Sequence, residues 1–119
     1  MHRVAQGSAY ERAAQHYLEL RGLRFLARNF RCRAGEIDLI MMDTNILVFI
    51  EVRYRANQDF GSALESITKR KQARVVRAAA NFLQRNAQFQ QLACRFDAVG
   101  ISGASAATDF CWIKAAFSA

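Results

Sequence analysis

The sequence predicts a single α/β domain over residues 1–119, a mixed β-sheet flanked by helices in the order α-β-β-β-α-β-β. Three observations carry this. Residues 36–42 and 46–54 are apolar, β-favouring runs joined at Asp43-Thr44-Asn45, which reads as a hairpin. On either side of it, residues 13–18 and 75–83 place apolar side chains at helical spacing. The 119 residues contain no proline, low-complexity tract or internal repeat, so no linker divides them.

Each element has its own signal. Ser8-Ala9-Tyr10-Glu11 has the form of a capping box and predicts the start of a helix with Ala13, Ala14, Tyr17 and Leu18 on its apolar face. Gly22 sits where that helix should stop. Residues 23–31 alternate loosely, with Leu23 and Phe25 in phase, and predict a strand. Gly35 opens the hairpin. After Gly61, Ser62-Ala63-Leu64-Glu65 is a second capping-box pattern, predicting a long helix from there to about residue 87. Val75, Val76, Ala79, Phe82 and Leu83 form its apolar face. Residues 95–101 and 110–114 predict two further short strands.

Composition narrows the function classes. With 52% hydrophobic and 23% charged residues the chain is globular and not a disordered tail. Its net charge of +7 points to a polyanionic partner, a nucleic acid or an acidic membrane surface. The longest aliphatic or aromatic run, residues 46–50, is far short of a membrane span, and residues 1–6 lack the apolar core of a signal peptide. The expectation is a cytoplasmic protein without a membrane partner. Cys32, Cys94 and Cys111 lie far apart with no histidine at ligand spacing, so they read as reduced structural thiols. His2 and His16 read as a terminal and a surface histidine.

The charge is unevenly spread. Residues 1–33 carry +5, residues 34–52 carry −4, and residues 53–119 carry +6. Within the acidic segment, Asp38 and Glu51 each interrupt the middle of an apolar strand, where an unpaired charge costs several kcal/mol if buried. A two-residue turn at Thr44-Asn45 pairs residues whose numbers sum to 89, and places Asp38 opposite Glu51 on one face. Like charges across a ladder repel, and a cation such as Mg²⁺ between them relieves this. A solvated strand face explains the same two acids equally well. Arg53, two residues beyond Glu51, leaves the same face.

An acid on one strand and an acid-x-basic triplet on the next, after a helix with its own acid, resembles the PD-(D/E)xK nuclease superfamily. More closely, the chain resembles the YraN-like family of small proteins related to archaeal-type Holliday junction resolvases. The resemblance covers nearly the whole chain. It rests on Glu11 with Ala13-Ala14, Arg28-Asn29-Phe30, Gly35-Glu36-Ile37-Asp38-Leu39-Ile40, Val48-Phe49-Ile50-Glu51-Val52-Arg53-Tyr54-Arg55, Lys71, Arg95-Phe96-Asp97 and Ala116-Phe117. It implies a restriction-endonuclease-like core. Asp38 and Glu51 match the metal-binding acids, with the Val52 carbonyl as a third ligand for Mg²⁺ or Mn²⁺. Glu11 matches the helix-borne acid that some members turn toward the metal, although a capping box explains it without catalysis. Arg53 stands where the superfamily has lysine. Arginine keeps its charge at any reasonable pH, so it serves as a fixed cation for the scissile phosphate and not as a base. Lys71 either reaches the site or is a solvated residue at a helix start.

From Ser66 to Phe96 there is no acid, while Lys69, Arg70, Lys71, Arg74, Arg77, Arg85 and Arg95 are basic. Arg70, Arg74 and Arg77 fall on one helical stripe. A second cluster is Arg21, Arg24, Arg28, Arg31 and Arg33. These are phosphate-contact signals, which position a nucleic acid without reading its bases, and no helix-turn-helix, RNP-type or zinc module accompanies them. The expectation is a nucleic-acid-binding protein and metal-dependent endonuclease on branched or structured DNA, working as a homodimer if it resolves junctions. The alternative is a non-catalytic nucleic-acid-binding module with a degenerate active site.

Overall fold

The computed structural model describes residues 2–55, 64–103 and 109–119, with side chains from residue 9 onward. Two helices cover the two faces of a five-stranded sheet. The elements are α1 (His2–Glu19), β1 (Arg24–Cys32), β2 (Gly35–Asp43), β3 (Ile46–Arg55), α2 (Lys69–Arg85), a 3₁₀ turn (Ala87–Phe89), β4 (Ala93–Ser102) and β5 (Asp109–Phe117). The predicted order is therefore observed. Strands lie in sequence order across the sheet, antiparallel except for the parallel pair β3–β4, which α2 connects.

Helix α1 starts earlier than its capping pattern implies. It runs through Ser8, so Ser8-Ala9-Tyr10-Glu11 lies inside the helix and caps nothing. A capping box acts only where the chain enters the helix, and residues 2–7 are already helical. Its end is as Gly22 foretells. Leu23 N–H donates to the Leu18 carbonyl and Gly22 N–H to the Glu19 carbonyl, with Gly22 at φ 98°. This is a Schellman stop, and Leu18 and Leu23 both enter the core beside it.

The second capping-box prediction fares differently. Gly61, Ser62 and Ala63 lie outside the described residues, and the long helix begins only at Lys69. Its N-cap is Thr68, whose hydroxyl accepts from Lys71 N–H at 3.2 Å. At the other end α2 stops at Arg85, and Asn86 leads into the 3₁₀ turn.

Strand alternation divides the core in two. Leu39, Met41, Val48, Ile50, Val52, Val99 and Ile101 pack under Ala14 and Leu18 of α1. Ile40, Met42, Leu47, Phe49 and Phe96 pack under Val75, Ala78, Ala79 and Phe82 of α2. Ile37 joins the α2 side although Leu39, two residues on, faces α1, so the two-residue period is lost at Asp38. The opposing strand is irregular too, with Asn29 of β1 at φ 57°. Stacking of Tyr10 on Tyr54 (centroids 4.2 Å) and of Tyr17 on Phe110 (4.5 Å) anchors α1 to the sheet.

A buried polar centre ties the far half of the sheet together. Asp97 is fully buried and accepts four hydrogen bonds: from Arg95 Nε (2.8 Å), an Arg95 terminal nitrogen (2.9 Å), Trp112 Nε1 (2.9 Å) and Ala115 N–H (2.9 Å). Arg95 also bonds Asp43 at 3.0 Å, which carries the link to the hairpin turn. The irregularity between Phe96 and Ala98 and the positive φ of Ala115 (51°) accommodate this carboxylate. Arg95 thus leaves the basic run as a structural residue, because its guanidinium is consumed by Asp97 and Asp43.

Candidate active site

The hairpin pairs as its turn length dictates. Asp43 faces Ile46 and the register continues to Leu39 opposite Ile50, each pair summing to 89. One step further, where Asp38 would meet Glu51, the main-chain ladder gives way. There Val52 N–H donates to Asp38 Oδ2 at 2.8 Å, so the carboxylate takes the place of a ladder carbonyl. Both acids are withdrawn from solvent, Asp38 at 9% and Glu51 at 4% exposure. That burial removes the reading in which they merely keep a wet face soluble.

The site is short of positive charge. Burial, and then the nearby Asp38 carboxylate, push Glu51 up to about 8, despite the opposing pull of Arg53. Asp38 is also raised by burial, against the Val52 N–H and Arg53. Glu11 completes the group from α1. Burial, followed by the nearby Asp38 charge, raises its carboxyl to about 7, against a smaller opposing pull from Asn29. The structure thus takes Glu11 out of the capping role and brings it to the strand acids. One oxygen of each glutamate, Glu11 Oε1 and Glu51 Oε1, is buried without a partner among the described residues. Such an orphan costs about 1–3 kcal/mol.

Arg53 sits against all three expected ligands. A terminal nitrogen lies 2.9 Å from Glu51 Oε2; the other donates to the Val52 carbonyl at 3.2 Å and lies 4.0 Å from Asp38 Oδ2. Arg53 Nε, like Glu51 Oε1, has no partner. A side-on fork would have satisfied both, so this contact is end-on and incomplete.

Helix α2 supplies the opposite wall. Glu36, Asp38, Glu51 and Arg53 from the hairpin and Lys71, Arg74 and Val75 from α2 line a cleft of about 210 Å³. Lys71 therefore borders the cleft while remaining an exposed residue near the helix start. The close approach depends on Gly35, where an added Cβ would lie 2.7 Å from the Arg74 carbonyl oxygen. Gly35→Ala is expected to push α2 off β2 at a cost of about 1–3 kcal/mol, measured by urea unfolding. Unchanged stability would show that the helix yields freely.

The remaining basic candidates are scattered. Lys69, Arg70 and Arg77 are exposed along α2 but do not line the cleft. Arg31 pairs with Glu36 at 3.0 Å beside the cleft. Arg28 does not join it: its guanidinium donates to Gln15 Oε1 at 2.6 Å and lies over the Phe25 ring, clamping β1 to α1. Sequence reasoning missed Arg74 as a cleft residue and Asp97 as a structural centre. For the first, a heptad stripe says nothing about what faces it; for the second, only a fully apolar surround at residues 96–101 hinted at burial.

The acid set suits a hard divalent cation. Two carboxylates and a carbonyl would leave room for the waters that Mg²⁺ or Mn²⁺ retains, and the orphaned Glu51 oxygen would gain a partner. Among the described residues, no three His, Cys, Asp or Glu side chains cage an ion by themselves.

The raised carboxyl of Glu51 has a pH consequence. Its folded value of about 8 exceeds the ordinary 4.5, so the folded protein holds a proton that the unfolded chain releases. Without divalent ions, this contribution to stability is present below about pH 4.5 and is lost as pH rises to about 8. The loss amounts to a few kcal/mol at 1.36 kcal/mol for each pH unit. Urea midpoints in a chelator should fall between pH 5 and 8 for wild type and less steeply for Glu51→Gln, which keeps the raised Glu11 and Asp38. Parallel curves would contradict this.

Comparison with known proteins gives a consistent family. The family model described as "Uncharacterised protein family UPF0102" matches residues 10–101. A UPF0102 protein of Nitrosococcus oceani is 52% identical over 112 residues, covering 94% of this chain and 90% of that protein. One from Pectobacterium carotovorum is 49% identical over 118 residues, covering 98% and 97%. One from Pseudomonas putida is 49% identical over 112 residues, covering 93% and 90%. No helix among the described residues is long and apolar enough to cross a membrane.

Proposed function

The chain belongs to the UPF0102 family, and on the geometry of its acidic cleft we propose that it binds nucleic acid and hydrolyses phosphodiester bonds of branched or structured DNA with Mg²⁺ or Mn²⁺. The observation that carries this is the pair of buried carboxylates, Asp38 and Glu51, beneath the cationic side chains of α2. Asp38, Glu51 and the Val52 carbonyl would hold the ion. When bound, it supplies water activation near neutral pH and charge neutralisation at the phosphate.

The chain's own residues do the rest. Lys71 and Arg74 hold the strand through its phosphates, and Lys69, Arg70 and Arg77 extend that track along α2. Arg53 cannot take a proton, and it stabilises charge growing on the phosphate oxygens. Glu11, raised to about 7 by burial and the nearby Asp38 charge, is poised to accept a proton at neutral pH. Paired cuts across a junction need two such clefts, which a homodimer provides.

The test is incubation of the protein with four-way junctions, flaps and single strands in Mn²⁺. Cleavage of at least one is expected. The second reading, a binding module with a degenerate active site, is favoured by the Arg53–Glu51 ion pair inside the cleft. Tight binding of all three substrates without any cleavage would establish that reading and overturn the first.

A further inference from the structure

We propose that Arg53 is a built-in counter-ion that occupies the cation's place, so that a divalent ion loads only by driving its guanidinium out toward the phosphate-binding wall. This rests on the metal-site reading above. Three contacts carry it. The two terminal nitrogens of Arg53 reach Glu51 Oε2 at 2.9 Å, the Val52 carbonyl at 3.2 Å and Asp38 Oδ2 at 4.0 Å, the same three groups that an ion would engage. An ion bound there faces direct competition from the guanidinium, since two cations held against the same three groups repel each other.

The seat is also an imperfect one for arginine. Among the described residues Nε is buried without a partner, and so is Glu51 Oε1, although a side-on fork would join them. A small ion would reach that oxygen, which the arginine as placed does not. Once displaced, the guanidinium stays within the cleft that Lys71 and Arg74 also line. Three cations and a divalent ion together repel, and a bound phosphodiester relieves that repulsion. Cation and nucleic acid therefore bind with positive coupling, each raising the other's affinity by the same factor. The device offsets part of the acids' charge when no ion is present and favours loading when substrate is present.

The experiment titrates Mn²⁺ alone into wild type and Arg53→Gln, reading free Mn²⁺ by electron paramagnetic resonance. Arg53→Gln should bind about ten-fold tighter or more, having lost the competitor. Excess short single-stranded DNA should tighten Mn²⁺ binding by wild type and tighten it less for Arg53→Gln, which keeps Lys71 and Arg74 in the cleft. Equal or weaker binding by Arg53→Gln, with wild type binding normally, overturns the counter-ion and leaves the metal site standing. Failure of wild type to tighten with DNA overturns the coupling. No Mn²⁺ binding by either protein overturns the metal site and the counter-ion together. Because Arg53→Gln leaves two acids uncompensated and can fail to fold, a second measurement uses wild type itself. The Arg53 Nε–H resonance, assigned by its loss in Arg53→Lys, should shift on saturation with Mg²⁺; an unmoved resonance overturns the displacement.

Discussion

Asp38→Asn is expected to abolish Mn²⁺-dependent cleavage, with a loss of about 10³-fold or more, while leaving the protein folded and able to bind DNA. The magnitude follows from removing charge stabilisation of several kcal/mol at the reacting phosphate, each 1.36 kcal/mol being ten-fold in rate. The fold should survive because Asn keeps an oxygen that can accept the Val52 N–H, now made at 2.8 Å, while removing a buried negative charge beside Glu51 and Glu11. Nucleic-acid affinity should hold or rise, since Lys71 and Arg74 lose a neighbouring anion. Cleavage rate on the preferred substrate and affinity by anisotropy in chelator check the two halves. Full activity in Asp38→Asn would eliminate this cleft as the site of hydrolysis.

Asp97→Ala should be the most damaging substitution to stability. It strips four donors of their acceptor in a position with no solvent access. Breaking one side of a buried ion pair costs about 3–5 kcal/mol, because the remaining charge stays behind uncompensated. Arg95, whose pKa Asp97 raises, would keep only Asp43. The Trp112 N–H and the Ala115 N–H would also lose their bonds, so β5 should loosen first. Thermal unfolding should fall by about 10 °C or more, and hydrogen exchange should quicken in β5 before β2. A loss below 1 kcal/mol would show that the network is replaceable by water.

The contrast between these two aspartates shows what a linear reading reaches. Asp38 was legible because it and Glu51 lie on strands joined by one short turn, and a turn length sets which residues face each other. Asp97 was not, since its partners at Trp112 and Ala115 approach from another strand through a bulged pairing. Ser8-Ala9-Tyr10-Glu11 carried a capping signature that position alone disqualifies: the helix had already begun. The same placement freed Glu11 to meet Asp38 across 27 residues of chain. Basic residues were the least informative individually. Arg28 and Arg95 look like Lys71 and Arg74 in sequence, yet two clamp the fold and two line the cleft.

By itself, then, the sequence determined the element order, the hairpin register, the meeting of Asp38 and Glu51 and the arginine beside them. All of these follow from connectivity, alternation and the reach of a short turn. Only the tertiary structure decided that Glu11 lies inside its helix and near Asp38 rather than in a cap, which cations border the cleft, and that the acids are buried rather than wet. Those outcomes depend on how helices seat on the sheet, through Tyr10 on Tyr54 and Gly35 against Arg74. Such contacts are non-local packing, which no spacing along the chain encodes.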